Sequence, residues 1–318
     1  MDPLSSDAGN QRKPIFLIAN PVSGGRAGSP SALSDDEEQL EPDALAAALS
    51  GRGLQVTLHV LEEADDPARL AAAAAADGFD VVVAGGDGTV GPVAGAMVDA
   101  DATLGILATG SWNNIARGCR VPTELEPALD AIAAGRTAHV DAGVAWHGDD
   151  PEPPPDAERF FEAAGVGLDA IGFGAVQLGE RRGWWPALRT LWRALRRRRT
   201  AILLRVDDRA IRTLAPAVTI CNGPYHGMGF ALVPNADPGD GMLDVVVFDR
   251  MSQLETLRHF LAVARGRPRR EPRVRVLRGA RVTVRGTRRT LPAHVDGRSI
   301  GPTPVSFAVQ PGALRIFR

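Results

Sequence analysis

The chain has 318 residues, 44% of them hydrophobic, and a formal net charge of −2. That is apolar sequence enough for two modest domains, and the balance of charge excludes a global field for nucleic acid. The two cysteines, Cys119 and Cys221, make no disulfide or metal pattern, the polar start MDPLSSDAGN is no signal peptide, and no apolar run approaches a membrane span, so a cytoplasmic protein that meets a membrane only from its side is expected.

Residues 1–13 read as a disordered tail. PIFLIANP (14–21) is a short buried strand closed by Asn-Pro, followed by the glycine turn VSGGRAG and an acidic, Ser/Pro-rich insertion over 29–42. Helical spacing at Leu45 and Leu49 precedes LQVTLHVL (54–61), which alternates like a strand. Asp66-Pro67 opens a helix with a capping side chain and a first-turn proline, and the alanine run to Ala76 extends it. Then come a strand at Val81–Ala84, a glycine turn, a helix to about Val98, a strand TLGILA (103–108), and the loop TGSWNNIARG before more helix. This alternation predicts a parallel sheet covered by helices, ending near residue 140. The texture then changes to strand-like runs with short turns, which predicts an antiparallel, β-rich second domain, with Pro/Asp-rich 147–158 as a loop or hairpin tip.

GGDGTVG contains a literal G-x-G-x-x-G at Gly86, Gly88 and Gly91. A dinucleotide fingerprint follows the first strand and pairs with an acid at the end of the next. Here the glycines follow about the third strand, and the next ends in Ala-Thr-Gly. Asp87 would repel a phosphate unless a cation lay between them. Gly85, Gly86 and Gly88 let backbone approach phosphate oxygens at a helix N-terminus, Thr89 adds a hydroxyl, and a Mg²⁺ ion could bridge Asp87 to a nucleotide. No P-loop motif occurs. The simpler alternative is a tight strand–helix turn with Asp87 as a cap.

Four blocks in order, IANPVSGGRAG, GGDGTV, GSWNNIARG and GFALVPNADPGDGMLDVVVF, followed by HVDGR, resemble the diacylglycerol kinase catalytic-domain family, which includes bacterial lipid kinases and sphingosine kinases. The resemblance implies a Rossmann-like ATP-binding domain over 14–140, a β-sandwich lipid-substrate domain over 141–303, and a segment 304–318 returning to the first domain. It implies ATP and Mg²⁺ as cofactors and a lipid hydroxyl as acceptor. Asn20, Ser23 and Gly24 would line the nucleotide, Gly85, Gly86, Asp87, Gly88 and Thr89 hold its phosphates, and Gly110, Ser111 and Asn113 form a second turn facing the first. For Asn113 the plainer role is a turn residue bonding its own backbone. Asp296 is the expected general base, with Asp87 as competitor, although VDGR between strands also signals a type I′ hairpin. Asp240 and Asp244 match acidic positions, one or both of which would hold a second Mg²⁺, with a solvated loop before a strand as the alternative, and Asp169 in GVGLDA matches an aspartate that helps position the site and is counted among the metal residues. Two departures stand out. Gly91-Pro92 occupy the place of an Asn-Glu pair, and Arg298 that of a glutamate.

RRGWWPALRTLWRALRRRR (181–199) sets Leu188, Leu191, Trp192 and Leu195 at helical spacing, with Trp184 and Trp185 ahead and arginines such as Arg193 between. That is the composition of an interfacial helix on an anionic membrane surface; a helix packed on the β domain with a solvated basic face is the alternative. The reading is a lipid kinase, against a catalytically weakened nucleotide- or lipid-binding regulator, or a soluble NAD-kinase-like enzyme. The patterns encode neither the lipid nor the oligomeric state, and a homodimer stays open.

Overall fold

A computed structural model describes residues 12–22, 41–196, 200–267 and 271–318. The expected tail, most of the first glycine turn with Ser23 and Gly24, and most of the acidic insertion lie outside the described residues. The first part alternates as β1 (Ile15–Ala19), α1 (Pro42–Gly51), β2 (Val56–Val60), α2 (Pro67–Ala76), β3 (Asp80–Gly85), α3 (Asp87–Ala96) and β4 (Leu104–Ala108), then α4 (Asn114–Gly118) and α5 (Leu125–Ala134). Its strands run parallel in the order β2-β1-β3-β4. β3 is apolar and buried from Val81 onward because both its faces are covered. Val81 and Val83 pack with α2 and α3, whereas Val82 and Ala84 pack with α1 and α5.

The second part contains β5 (Thr137–His147), β6 (Glu158–Phe160), β7 (Ala163–Gly167), α6 (Leu168–Arg182), α7 (Trp184–Leu195), β8 (Ala201–Val206), β9 (Arg209–Leu214), β10 (Ala217–Cys221), β11 (Tyr225–His226), β12 (Phe230–Ala231) and β13 (Leu243–Phe248). It continues with α8 (Gln253–Ala264), β14 (Val274–Gly279), β15 (Arg281–Gly286), β16 (Pro292–Val295), β17 (Arg298–Pro302) and β18 (Val305–Phe317). A six-stranded antiparallel sheet, β14-β13-β10-β7-β16-β17, faces β5, β8, β15 and β18 across a core that includes Phe160, Ile220, Val245 and Phe307. This is a sandwich.

The two parts share one sheet. β18 pairs antiparallel along β5, flanks β15 at its start, and meets β4 in parallel at Ile316. The cleft residues described below therefore sit between two halves of one hydrogen-bonded framework.

Besides the helix expected over 181–199, two further helices, α6 and α8, interrupt the mostly strand texture expected after residue 140. α6 begins inside the run RFFEAAGVGLDA, where Gly167 at φ +82° turns the chain from strand to helix without a change in hydrophobicity. The helix expected over 181–199 is α7 alone, separated from α6 at Gly183, and residues 197–199 lie outside the described residues. α8 begins at a capping box, in which Ser252 Oγ accepts from the Glu255 N–H and Glu255 from the Ser252 N–H.

Candidate functional site

Two glycine turns meet at the carboxyl edge of the parallel sheet, where open α/β sheets bind ligands. Gly86, just before α3, and Gly110, after β4, pack backbone to backbone. A Cβ on Gly110 would stand 2.3 Å from the Gly86 Cα. Thr109 N–H donates to the Gly85 carbonyl at 3.2 Å. Asn20, just after β1, donates through Nδ2 to Thr89 Oγ1 at 2.8 Å and accepts the Val22 N–H on Oδ1. Thr89 is buried while Gly88 is exposed at the first turn of α3, whose leading N–H groups have no partner within the helix.

Asp87 does not cap its own helix. Its two carboxylate oxygens accept from the Asn114 and Ile115 N–H groups at 3.0 and 2.9 Å, so it caps α4 and ties the second turn to the first. Burial raises its pKa against those bonds. Asn113, at φ +50°, accepts from the Gly110 N–H and donates to the Gly110 carbonyl, holding its own turn. This is the plainer role expected of it, a turn residue bonding its own backbone. Ser111 lines a cavity of about 420 Å³ with Trp112, Arg117, Met228 and Phe230.

Across the cleft, Asp296 and Gly297 form the two-residue tip of the β16–β17 hairpin, at φ +42° and +77°, the backbone of a type I′ turn. Asp296 Oδ1 accepts from the Glu162 and Ala163 N–H groups, both at 3.1 Å, and Oδ2 accepts from Phe161 N–H at 2.9 Å. Oδ2 keeps a lone pair and lies 4.0 Å from the position a Cβ on Gly91 would take. Burial raises the Asp296 pKa, opposed by the three N–H groups and by Arg298. Arg298 itself pairs with Glu158 at 3.3 Å and bonds the Arg159 carbonyl.

Glu162 joins the halves. Its carboxyl accepts from Asn114 Nδ2 at 3.0 Å and from the Gly227 N–H at 2.6 Å. Burial, with Asp296 beside it, pushes its pKa up to about 8. The sequence carried a signal for it, a lone acid inside the apolar run RFFEAAGVG. Asn114 Nδ2 also reaches the Gly227 carbonyl at 2.7 Å.

Among the described residues no group of three or more His, Cys, Asp or Glu is arranged to hold a metal ion. Arg278 bonds Asp240 and lies 3.4 Å from Asp244, so a guanidinium supplies the cation expected there. Burial raises the Asp244 pKa, with Arg278 opposing. Asp169 lies at the start of α6, bonded to Thr219 Oγ1 and at 3.0 Å to His226 Nε2. These residues do not fit a protein-held Mg²⁺. The described glycine turns and the α3 N-terminus do fit nucleotide phosphates.

Far from the turns in sequence, α7 buries Ala187 and Ala194 but exposes Trp184 (61%), Trp185 (81%), Leu188 (53%) and Trp192 (53%), with Arg193 exposed beside them. The Arg196 guanidinium lies 3.7 Å over the Trp192 ring.

Residues 14–145 match the family described as "Diacylglycerol kinase catalytic domain", and residues 178–318 match the "YegS C-terminal NAD kinase beta sandwich-like domain". A protein of Mycobacterium tuberculosis named "Diacylglycerol kinase" is 28% identical over 315 residues, covering 96% of this chain and 94% of its own. One of Staphylococcus saprophyticus with the same name is 26% identical over 306 residues, covering 93% and 92%. The crystal structure of a putative diacylglycerol kinase from Bacillus anthracis str. Sterne superposes with a TM-score of 0.72 at 18% identity, covering 96% of this chain and 97% of that one. That likeness establishes the fold, an α/β domain followed by an NAD-kinase-like β-sandwich.

Proposed function

This chain belongs to the diacylglycerol kinase catalytic-domain family, and from that premise we propose that it is a lipid kinase, moving the γ-phosphoryl group of ATP to the hydroxyl of a diacylglycerol-type or sphingoid-type lipid. The observation that carries the reading is Asp296 Oδ2. It is the one oxygen of that carboxylate with a single N–H partner, and it points across the cleft at Gly91 on the helix that follows the phosphate turn. A base needs a free lone pair and a fixed place. Its raised proton affinity suits the task.

In this reading the phosphates of ATP lie against Gly85–Thr89 and the N-terminus of α3. The lipid oxygen attacks the γ-phosphorus, the bond from that phosphorus to the β–γ bridging oxygen breaks, ADP leaves, and the hydroxyl proton passes to Asp296 Oδ2. Mg²⁺ would arrive on the nucleotide and offset phosphate charge; no step here needs a protein-held ion. Asp87 holds the two turns in place. The exposed tryptophan face of α7, flanked by arginines, would set the enzyme on an anionic bilayer, where its substrate resides.

A weakened, binding-only protein is the second reading. Gly91-Pro92 give α3 no polar side chain toward Asp296, and Arg298 is spent on β6. Transfer from labelled ATP with Mg²⁺ into vesicles carrying a total lipid extract separates the two. The kinase reading expects a labelled lipid that Asp296→Asn reduces on the order of 10²-fold or more while ATP binding persists. ATP binding without any labelled lipid would favour the binding protein.

A further inference from the structure

We propose that His294 is a positioning residue for Asp296: its Nδ1 holds the hairpin turn that presents the carboxylate, and a buried Asp169–His226 pair stands behind it. The proposal rests on Asp296 acting as base. The turn needs holding, because Asp296 sits in the left-handed region, which only glycine adopts freely and aspartate enters less readily. Gly297 is gripped from both sides. Its N–H donates to His294 Nδ1 at 3.2 Å, and its carbonyl accepts from Gln177 Nε2 at 2.7 Å. The Phe173 ring, 4.3 Å from the His294 ring, covers the turn.

Accepting at Nδ1 assigns the neutral His294 proton to Nε2. That nitrogen has no hydrogen-bond partner and faces Asp169 Oδ1 at 3.7 Å. Asp169 is itself fixed by Thr219 and His226, and all four side chains are buried. Burial works to raise Asp169, yet His226 outweighs it and holds the carboxyl below its ordinary range; burial likewise works against His226, which Asp169 keeps raised. The backbone is shaped for the cluster. A Cβ on Gly165 would lie 2.3 Å from His294 Nε2 and 2.5 Å from Asp169 Oδ2. Nothing in the transfer step uses His294 directly; the functional element it bonds is the turn, while His226 also lies 3.9 Å from Glu162.

Three variants test it, because asparagine puts an acceptor oxygen where Nδ1 stood and glutamine puts one at the ε position instead. Under the vesicle assay, His294→Ala and His294→Gln should lower kcat on the order of 10- to 100-fold with KM for ATP unchanged, and His294→Asn should stay within about threefold of wild type. Amide exchange at Gly297 should follow the same order, slow in wild type and Asn, fast in Ala and Gln. A folding defect would instead track side-chain volume, with Gln the better replacement. Equal kcat in all four proteins, or Asn falling with Ala, overturns the proposal. A wild type that labels no lipid while Gly297 exchange keeps that order overturns the kinase reading and supports the clamp.

Discussion

Glu162 shows how a single carboxyl can record its surroundings. Folded, its pKa stands near 8; unfolded, it returns to the ordinary glutamate value near 4.5. Between these two values the folded protein binds the extra proton, so this contribution to stability is complete below about pH 4.5 and declines as pH rises toward 8, by at most about 1.4 kcal/mol per unit. Glu162→Gln removes the titration. Urea unfolding at about pH 5 and pH 8 should show wild type losing stability relative to the variant across that window; parallel behaviour would place the proton elsewhere. Gly110 tests the other side of the cleft. Gly110→Ala drives a methyl into the Gly86 backbone, where no side chain can move aside. A cost of about 1–3 kcal/mol is expected in denaturant unfolding, together with weaker ATP binding by calorimetry. At this scale the sequence was legible where local chemistry decides. The DG turn of Asp296 and the self-bonding of Asn113 follow from two or three neighbours. It was not legible where partners come from afar. Arg278 lies 38 residues beyond Asp240, and without it a pair of acids reads as a cation site.

Elements were readable in proportion to how strongly their ends are marked. Asp66 accepts from the Ala68 and Arg69 N–H groups, as an Asp-Pro start predicts, and β1, β3 and β4 are apolar runs closed by turns. α6 was hidden by its three internal glycines, Gly172, Gly174 and Gly179, and by an entry that looks like more strand. α8 was marked by Ser252 and Glu255, but a capping box is four residues in a region otherwise strand-like. Ser252→Ala should cost about 1 kcal/mol in thermal or urea unfolding. α7 makes a different prediction, since its tryptophans add little to the fold. Replacing Trp185 and Trp192 together with glutamine should leave the melting temperature nearly unchanged, because both rings are more than half exposed. The same change should sharply reduce co-sedimentation with anionic vesicles, and less so with neutral ones. Retained vesicle binding would leave the exposed face to some other partner and remove α7 from the proposed function.

At the scale of the whole molecule, the two halves are separate in sequence texture but joined in the sheet. Asp141 on β5 accepts from the Gly241 and Gly312 N–H groups, both at 2.7 Å, and so clips the β12–β13 loop and the bend in β18 to the strand between the domains. Beyond that bend, Leu314 and Ile316 enter the core under α2 and α3, and Phe317 the core under α1 and α5. The last strand is therefore part of the first domain's core on both faces. Apolar texture cannot reveal this, because a strand buried against distant helices reads like one in its own sandwich. Removing residues 314–318 strips three buried side chains from the α/β domain and leaves β4 with an open edge. Each large buried side chain is worth about 1.5–3 kcal/mol, so the loss is comparable to the stability of a whole domain. The sandwich keeps most of its own core, including Val305 and Phe307 at the start of β18. Differential scanning calorimetry should then show one cooperative transition in the intact chain and two in the truncated one, the earlier belonging to residues 14–140 and no longer shifted upward by ATP. A single, merely lowered transition would mean that β5 alone couples the halves.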